Sequence, residues 1–493
     1  MFSRELVTRL AFALLLACST GCAGFQSERH FAPLFTQISP AGGGEEIEAL
    51  AGMLRVRRAA QTDRVNEWAI RPLYSRWIES NNDTRSYFFV PLGRSSRTKR
   101  ESLWQLLPIA RWQYSIDDEG RSAWSWLSLP GIYWQKSNDG YIRRAWFPFG
   151  GVFEHFLSVD HGEFWLFPLY ARTERGGRIT YHFLFPIFSY THGRGGPTGR
   201  FWPLIGRKRY EGRYDRWFFL WPIFHYQHND TSYAPGNQER SYSALPLLGW
   251  SKRGRGRSYT ALWPFFGYSQ NPDSEFWAWD GPWPLVRFQE PGTTGQATRH
   301  RVWPFYSYFE GDGLTSRYYL WPLINVRHEE YTGTTKDSLY VLPFWRSWER
   351  HDRTEGKTTF RKLWPIYQRE KGEDHESFAF PALNPLWRTP TIDYHYAWIY
   401  ELFTRRVKGD QISDRSWLGL WRRETDIDED RRSFTGLWAR RRYSSEGERV
   451  TETSYLFGLL RFRRRSGSGL QMLRPAFPGP GWPLERVPTS LPQ

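Results

Sequence analysis

A proline with apolar neighbours recurs about every twenty residues, and this period constrains the fold more than any other feature of the chain. In each copy an aromatic residue or Leu precedes Pro, and apolar residues follow it. From Pro72 to Pro385 there are sixteen steps over 313 residues, each between 17 and 24 residues long. Such a period is typical of arrays in which each unit packs on its neighbours. The clearest copies are Trp202-Pro203-Leu204, Trp221-Pro222-Ile223, Trp263-Pro264-Phe265, Trp283-Pro284-Leu285, Trp303-Pro304-Phe305, Trp321-Pro322-Leu323 and Trp364-Pro365-Ile366.

Segments rich in Gly, Asp, Asn and Ser separate the apolar runs, as in Asn229-Asp230-Thr231-Ser232. Apolar runs of about ten residues between such turn signals predict an all-β antiparallel meander of about twenty units. Gly takes the place of Pro in later copies, such as Trp417-Leu418-Gly419-Leu420. A solenoid, a propeller-like ring, a sandwich and a large barrel all remain open. For Ile47–Arg58 a further copy and a short helix are equally favoured.

Alternation of side chains along a strand predicts the two faces of each unit, with Pro placed in the middle of the strand. Leu220, Pro222, Phe224 and Tyr226 lie on one broadly apolar face. The other face is apolar beside Pro alone and otherwise carries small or polar residues such as His225. Stacked units should align these positions into ladders. The broad apolar face then has to meet a second layer, a partner or lipid.

Both cysteines of the chain, Cys18 and Cys22, lie near its N-terminus. Arg4 and Arg9 flank a polar start, and an eight-residue apolar run, Leu10 to Ala17, follows, which is typical of a secretory signal. Leu15-Leu16-Ala17-Cys18 resembles the bacterial lipoprotein box, with Cys22 as the alternative acylation site. The resemblance implies that membrane lipid holds the protein through an acylated Cys. Because Ser19 or Ala23 stands where an Asp retains such lipoproteins in the inner membrane, it also implies an outer-membrane location in the cell envelope.

These features divide the chain into five predicted segments. They are a lipoprotein signal peptide at 1–17, a tether at 18–30, the aromatic-proline array at 31–398, its continuation with Gly in place of Pro and Arg-rich strands at 399–465, and a Pro-rich tail at 466–493.

The sequence contains no pattern that supports catalysis, a metal site or a cofactor, so we expect a non-enzyme without either. The twelve His are scattered, and no phosphate-binding loop or nucleophile elbow occurs. A secretory signal also removes the chain from nucleic acid. Arginines beside tryptophans could bind acidic glycans or lipid head groups, and a solvated, ion-paired rim is the alternative. The candidate arginines are Arg422, Arg423, Arg440, Arg441 and Arg442.

Together these features predict a lipid-anchored envelope protein whose repetitive β body has a structural or binding role. The alternative is an outer-membrane β-barrel that acts as a channel or exporter component. An outer-membrane address and an aromatic apolar band favour that alternative, whereas proline in mid-strand and a seven-residue apolar span are unfavourable for it.

Overall fold

The computed structural model describes residues 28–39, 44–59, 64–156, 158–293, 295–385, 389–445 and 447–475. These residues form 45 β-strands of three to eight residues and one α-helix. The prediction of an all-β antiparallel meander is therefore confirmed. The chain forms two compact units, 81–373 and 1–80 together with 374–493, which we call the central unit and the terminal unit.

The central unit contains thirty strands, and the pairings within it join successive strands in antiparallel register. Its strands are β7 (Thr84–Phe88), β8 (Gly93–Arg97), β9 (Glu101–Leu106), β10 (Ala110–Ile116), β11 (Ser122–Ser128), β12 (Ile132–Lys136), β13 (Ile142–Trp146), β14 (Gly150–Phe156), β15 (Val159–Trp165), β16 (Tyr170–Arg175), β17 (Arg178–Phe183), β18 (Phe188–Gly193), β19 (Thr198–Phe201), β20 (Ile205–Tyr210), β21 (Tyr214–Phe219), β22 (Phe224–Asn229), β23 (Glu239–Ala244), β24 (Leu248–Arg253), β25 (Gly256–Ala261), β26 (Phe266–Asn271), β27 (Phe276–Asp280), β28 (Val286–Glu290), β29 (Thr298–Val302), β30 (Tyr306–Gly311), β31 (Leu314–Tyr319), β32 (Ile324–Tyr331), β33 (Thr334–Val341), β34 (Trp345–Asp352), β35 (Gly356–Leu363) and β36 (Tyr367–Lys371).

The terminal unit contains the first six and the last nine strands and the α-helix. The strands are β1 (Arg29–Phe31), β2 (Phe35–Ile38), β3 (Glu45–Ala49), β4 (Leu54–Arg58), β5 (Val65–Ile70), β6 (Tyr74–Ile78), β37 (His375–Phe380), β38 (Phe403–Lys408), β39 (Gln411–Ser416), β40 (Trp421–Thr425), β41 (Glu429–Phe434), β42 (Trp438–Ser445), β43 (Glu448–Tyr455), β44 (Leu460–Arg465) and β45 (Leu470–Leu473), and the helix is α1 (Pro390–Tyr400).

The repeated prolines lie in tight turns between strands, so the prediction that they sit in mid-strand is wrong. Between β21 and β22 the chain turns at 220–223, and the Ile223 N–H donates to the Leu220 carbonyl at 2.7 Å. The Trp221-Pro222 peptide bond is cis, as are the corresponding bonds in the other clear copies. Each twenty-residue unit is thus a hairpin of two short strands. The alternation of side chains does not extend through the turn, so the apolar residues beside Pro belong to the turn and not to a second apolar stripe.

Adjacent turns are hydrogen-bonded to each other along one edge of the sheet. Leu220 donates its N–H to the Leu204 carbonyl at 2.6 Å, and Trp221 donates to the Pro203 carbonyl at 2.7 Å. Trp321 repeats the contact with the Pro304 carbonyl at 2.6 Å. We call this row of proline turns the apolar rim. The turns at the other ends of the strands carry the Gly, Asp and Asn segments and form the polar rim.

The strand register confirms the predicted ladders. Phe219 is paired with Phe224 beside the apolar rim, and two residues further along each strand Trp217 is paired with Tyr226. Tyr226 is next paired with Tyr242. We call the face that carries these positions the aromatic face. The intervening positions form the opposite face and carry mostly small or polar residues, as the parity predicted for His225, although Phe218 also lies there.

In the terminal unit, the opposite face of the first strands packs against the opposite face of the last strands. Nη2 of Arg431 on β41 donates to the Ser39 carbonyl, next to β2, at 2.8 Å. Nε2 of His30 donates to the Gly419 carbonyl at 2.6 Å. Ser75 and His395 of α1 are hydrogen-bonded at 2.8 Å. The second layer in this unit therefore covers the opposite face.

Two local features depart from the regular hairpin. The segment considered as a short helix forms β3 and β4 joined by a one-turn 3-10 segment, Leu50–Gly52, and so follows the repeat. After β37, by contrast, residues 381–402 replace the expected turn at Pro385 and include α1. Phe380 is nevertheless paired with Phe403, so the meander continues past this insertion.

Candidate functional site

The apolar rim and the adjoining part of the aromatic face form an exposed apolar band in the central unit. Leu262, Trp263 and Phe305 of the rim are 52%, 53% and 63% exposed. Phe219 and Leu248 beside the rim are 54% and 64% exposed. Contiguous exposed apolar surface of this kind marks an interaction surface, because single exposed apolar residues rather than continuous rows are usual on soluble proteins.

Aromatic side chains form a ladder two residues further from the rim. The ring centroids of Tyr226 and Tyr242 are 4.9 Å apart, and those of Tyr242 and Trp250 are 5.8 Å apart. Further along, Trp279 stacks on Phe288 at 6.0 Å. Offset aromatic pairs of this type stabilise a sheet by about 0.5–1.5 kcal/mol each beyond their burial. The ladder therefore holds the exposed band in a fixed arrangement.

The structure divides the five predicted arginines between the two faces of the terminal unit. Arg422 and Arg441 lie on the opposite face, are buried, and are paired with acidic residues. Arg423, Arg440 and Arg442 lie on the aromatic face by strand register. The five residues thus do not form one surface.

The arginines on the aromatic face continue in a row across several strands. Arg423 is paired in register with Arg432, and Arg432 with Arg440. Arg423 and Arg432 contact Asp430 at 3.1 and 3.0 Å. Arg440 has no acidic partner among the described residues, and burial together with Arg442 and Arg432 lowers its pKa. An excess of positive charge therefore lies at this end of the row.

A buried cluster of ion pairs joins the first and last strands of the terminal unit. Glu48 is at its centre, with Arg415 at 2.9 Å, Arg71 at 3.4 Å and Arg422 in direct contact. Arg55 contacts Glu46 at 2.9 Å and Glu67 at 3.1 Å. Burial alone would raise the pKa of Glu48, but Arg415 and Arg422 outweigh it and hold this pKa well below its usual range. Each charge in the cluster therefore depends on its partners.

His30 lies beside this cluster and is almost fully buried. Burial, followed by the charge of Arg422, lowers the pKa of His30 to about 4. The ring is therefore neutral near pH 7, and its Nε2 N–H bonds the Gly419 carbonyl. At the C-terminal end of α1, burial raises the pKa of Glu401 to about 7. Glu401 therefore titrates close to the physiological range, whereas His30 titrates well below it.

A basic cavity of about 1120 Å³ opens on strands β16 to β22 of the central unit. Eight Arg and Lys side chains line it, and Asp and Glu do not occur among the lining residues. Sequence reasoning missed this cavity because its basic residues are spread over 42 positions of the chain and converge only through strand register. The basic residues that line it are Arg175, Arg178, Arg194, Arg200, Arg207, Lys208, Arg213 and Arg216.

Several predicted features receive no structural description. Cys18, Cys22 and the signal peptide lie outside the described residues.

Within the described part of the chain, no helix has the length and apolar character needed to cross a membrane. No group of three or more His, Cys, Asp and Glu side chains in that same part is placed to hold a metal ion.

The chain shows no match to a protein-family model, and no curated protein sequence matches it significantly.

Proposed function

We propose that this protein is a lipid-anchored envelope protein whose β body lies against a membrane surface and has a non-catalytic structural or binding role. The observation that carries the proposal is the exposed band formed by the apolar rim and the aromatic ladder. Its tryptophans and tyrosines are the residues that favour the membrane-water interface. The side chains of this band are exposed in the central unit, as Trp263 and Phe305 show, so the aromatic face is available for lipid there.

The depth of the band supports contact with one leaflet. Tyr226 in the ladder lies two residues along β22 from Phe224, which adjoins the turn, and this corresponds to about 7 Å at strand spacing. Half of the hydrocarbon core is about 15 Å thick. The strands, at three to eight residues, are also shorter than the about 9–11 residues of a membrane-spanning strand.

The predicted lipid anchor would keep the body close to the bilayer. Ten residues lie between Cys18 and Arg29, where β1 begins, and the eleven Cα–Cα steps of this segment reach at most about 40 Å. Acylation contributes about 0.8 kcal/mol for each buried CH₂ group. An acyl anchor and an apolar rim would therefore act together on the same membrane.

Metabolic labelling with a fatty-acid analogue tests the anchor. We expect the label to be lost in Cys18→Ala, or in Cys22→Ala if that residue is acylated, and to persist in a Ser19→Ala control. Retention of the label when both cysteines are replaced would contradict the anchor. Heat-modifiable migration on gels and resistance of the double variant to carbonate extraction would instead favour the channel alternative.

The arginine row on the aromatic face is the proposed contact for acidic glycans or lipid head groups. Arg440 and Arg442 carry the least compensated charge in this row. Their replacement by Ser should weaken retention on an acidic polysaccharide or on anionic vesicles, and high salt should remove the difference. Arg441→Ser is not a suitable test, because Arg441 is buried and paired with Glu429 at 2.6 Å. If the double variant were retained as strongly as the parent protein, the arginines would not be the ligand contact, and the alternative of a solvated, ion-paired rim would stand.

A further inference from the structure

We propose that the basic cavity on strands β16 to β22 binds an anionic phospholipid, with the phosphate held by Arg200, Lys208 and Arg216 and the acyl chains directed towards the apolar rim. This site lies on the opposite face of the central unit and is separate from the aromatic face. It does not depend on acylation of Cys18 or Cys22.

The charge of the cavity selects an anion. Arg207 is paired with Asp215 at 2.6 Å and points to the aromatic face by register, which leaves seven basic residues in the wall. Arg200, Lys208 and Arg213 have no acidic partner within ion-pair distance among the described residues. Uncompensated positive charge in a concave wall concentrates anions.

The arrangement of these basic residues fits a phosphate group. Lys208 and Arg216 are directly paired across adjacent strands, and Arg200 lies two positions nearer the rim on the next strand. Guanidinium groups fork to phosphate oxygens, while an ammonium group provides a compact charge. Asn229 accepts the Nε N–H of Arg216 at 2.8 Å, which fixes this guanidinium.

Two buried nitrogen atoms of the wall are left without a partner within the described ranges. Nε of Arg200 and Nδ1 of His182 are buried and have no hydrogen-bond partner among the described residues. Burial, followed by the charge of Arg200, also lowers the pKa of His182, so this ring is neutral near pH 7. Arg200 therefore has an N–H donor that the described part of the protein does not use.

The end of the cavity next to the rim is apolar, and this favours a lipid over a soluble anion. Trp202 and Trp221 line it with ring centroids 5.6 Å apart, and Phe218 and Pro186 adjoin them. The volume of about 1120 Å³ exceeds the about 300–1,000 Å³ of ordinary small-molecule pockets. A soluble phosphate compound or an acidic glycan would leave this apolar end without a partner.

Photocrosslinking of the full-length protein in vesicles tests the assignment. The probe is phosphatidylglycerol with a diazirine in its acyl chain, and phosphatidylcholine with the same group is the zwitterionic comparison, whose phosphate charge is balanced by its own ammonium group. Labelling at Phe218 and His182 in the cavity wall is normalised to labelling at Trp263, which lies in the rim outside the cavity. We expect wall labelling by phosphatidylglycerol to exceed that by phosphatidylcholine.

The variant Arg200→Ser/Lys208→Ser/Arg216→Gln should lower normalised wall labelling by at least about tenfold, since charged hydrogen bonds to phosphate are lost. The control Lys99→Ser/Arg100→Ser/Arg353→Ser removes the same charges from exposed positions near the polar rim and should have no effect. If the triple cavity variant does not fold, the exposed Lys208→Ser alone should lower wall labelling.

Three results would overturn the proposal. They are equal wall labelling by the two lipids, equal labelling of the cavity and control variants, and labelling confined to the rim together with tight binding of inorganic pyrophosphate, which would indicate a soluble phosphate ligand. Absence of rim labelling at Trp263 with wall labelling intact would contradict the membrane-facing band and leave the cavity assignment standing.

Discussion

Glu48 is the residue on which the joined layers of the terminal unit most depend. Its carboxylate faces Arg415, Arg71 and Arg422 in a buried position. Glu48→Gln preserves the shape of the side chain but leaves buried guanidinium groups without a counter-charge. We expect it to lower the free energy of unfolding by about 3–5 kcal/mol, measured by chemical denaturation.

The exposed Glu448 on β43 provides the control for this substitution. Glu448→Gln should change the free energy of unfolding by less than about 0.5 kcal/mol, as is usual for surface positions. Similar losses in the two variants would show that the charge cluster is not a specific source of stability.

His30 should make the stability of the protein depend on pH in a mildly acidic range. Its pKa is about 4 in the folded protein and about 6.5 in an unfolded chain. Between these values the unfolded state binds more protons, so the free energy of unfolding falls as pH falls. From pH 7 to pH 5 the expected loss from this residue is about 2 kcal/mol.

Comparison with His30→Gln isolates this contribution, because the amide can still donate to the Gly419 carbonyl but does not titrate. Glu401, whose pKa is raised to about 7, acts in the opposite direction and is present in both proteins. Denaturation at pH 7 and pH 5 should therefore give a smaller acid loss in the variant. Equal losses would mean that His30 is accessible to protons in the folded protein.

The Gly-containing turns show why the repeat changes from Pro to Gly in the terminal unit. Gly436 has φ +72°, and a Cβ there would lie 2.4 Å from Cδ1 of Phe457 and 2.7 Å from the His30 carbonyl oxygen. This turn packs directly on β1 and has no room for a side chain. Gly436→Ala should lower the free energy of unfolding by at least about 2 kcal/mol, through backbone strain and overpacking.

Gly447 distinguishes the cost of backbone strain from the cost of overpacking. It has a similar φ of +79°, but a Cβ at this position would meet nothing within 4 Å. Gly447→Ala should therefore cost about 1 kcal/mol, the backbone strain alone. Thermal or chemical unfolding of the two variants measures the difference. Equal costs would argue against close packing of the Gly436 turn on the first strand.

The period in the sequence was sufficient to predict the type of element but not the place of its turns. Gly, Asp and Asn segments and the alternation from Phe224 to Tyr226 gave the antiparallel strands, the polar rim and the aromatic face. Pro222 was misplaced because apolar residues surround it, and apolar runs usually indicate strand interiors. An exposed apolar turn is the unusual feature, and the proposed membrane contact rests on it. Likewise, α1 was missed because it is an insertion between two strands that still pair.

The candidate sites were less predictable than the fold because they depend on register. Local clustering identified Arg422 and Arg441, but adjacent residues of a strand point to opposite faces, and these two are buried in ion pairs. By contrast, Arg200, Lys208 and Arg216 are not clustered in the sequence and converge on one wall of the basic cavity. Charged residues of a strand therefore form one site only when they lie on the same face of the sheet.

At the largest scale, the repeat places apolar turns along one rim of the central unit and charged turns along its other rim. A protein with one apolar rim and one charged rim has a preferred orientation at a membrane surface, because the apolar rim favours lipid and the charged rim favours water. With the anchor removed by Cys18→Ala and Cys22→Ala, the body should keep a weaker affinity for phosphatidylglycerol vesicles through the apolar rim. Replacing Trp221, Trp263 and Trp321 by Ser in that background should lower vesicle binding by at least about tenfold, because burial of these side chains drives insertion.

Tyr141, Tyr233 and Tyr331 give the matched control, because they are exposed aromatic residues near the polar rim. Their replacement by Ser removes a comparable number of aromatic rings and should leave binding unchanged. Flotation of the protein with vesicles on a density gradient measures both variants. If the tyrosine variant lost as much binding as the tryptophan variant, attraction would be spread over the whole aromatic surface, and the rim would not orient the protein. Equal binding of both variants and the parent would mean that the anchor alone holds the body at the membrane.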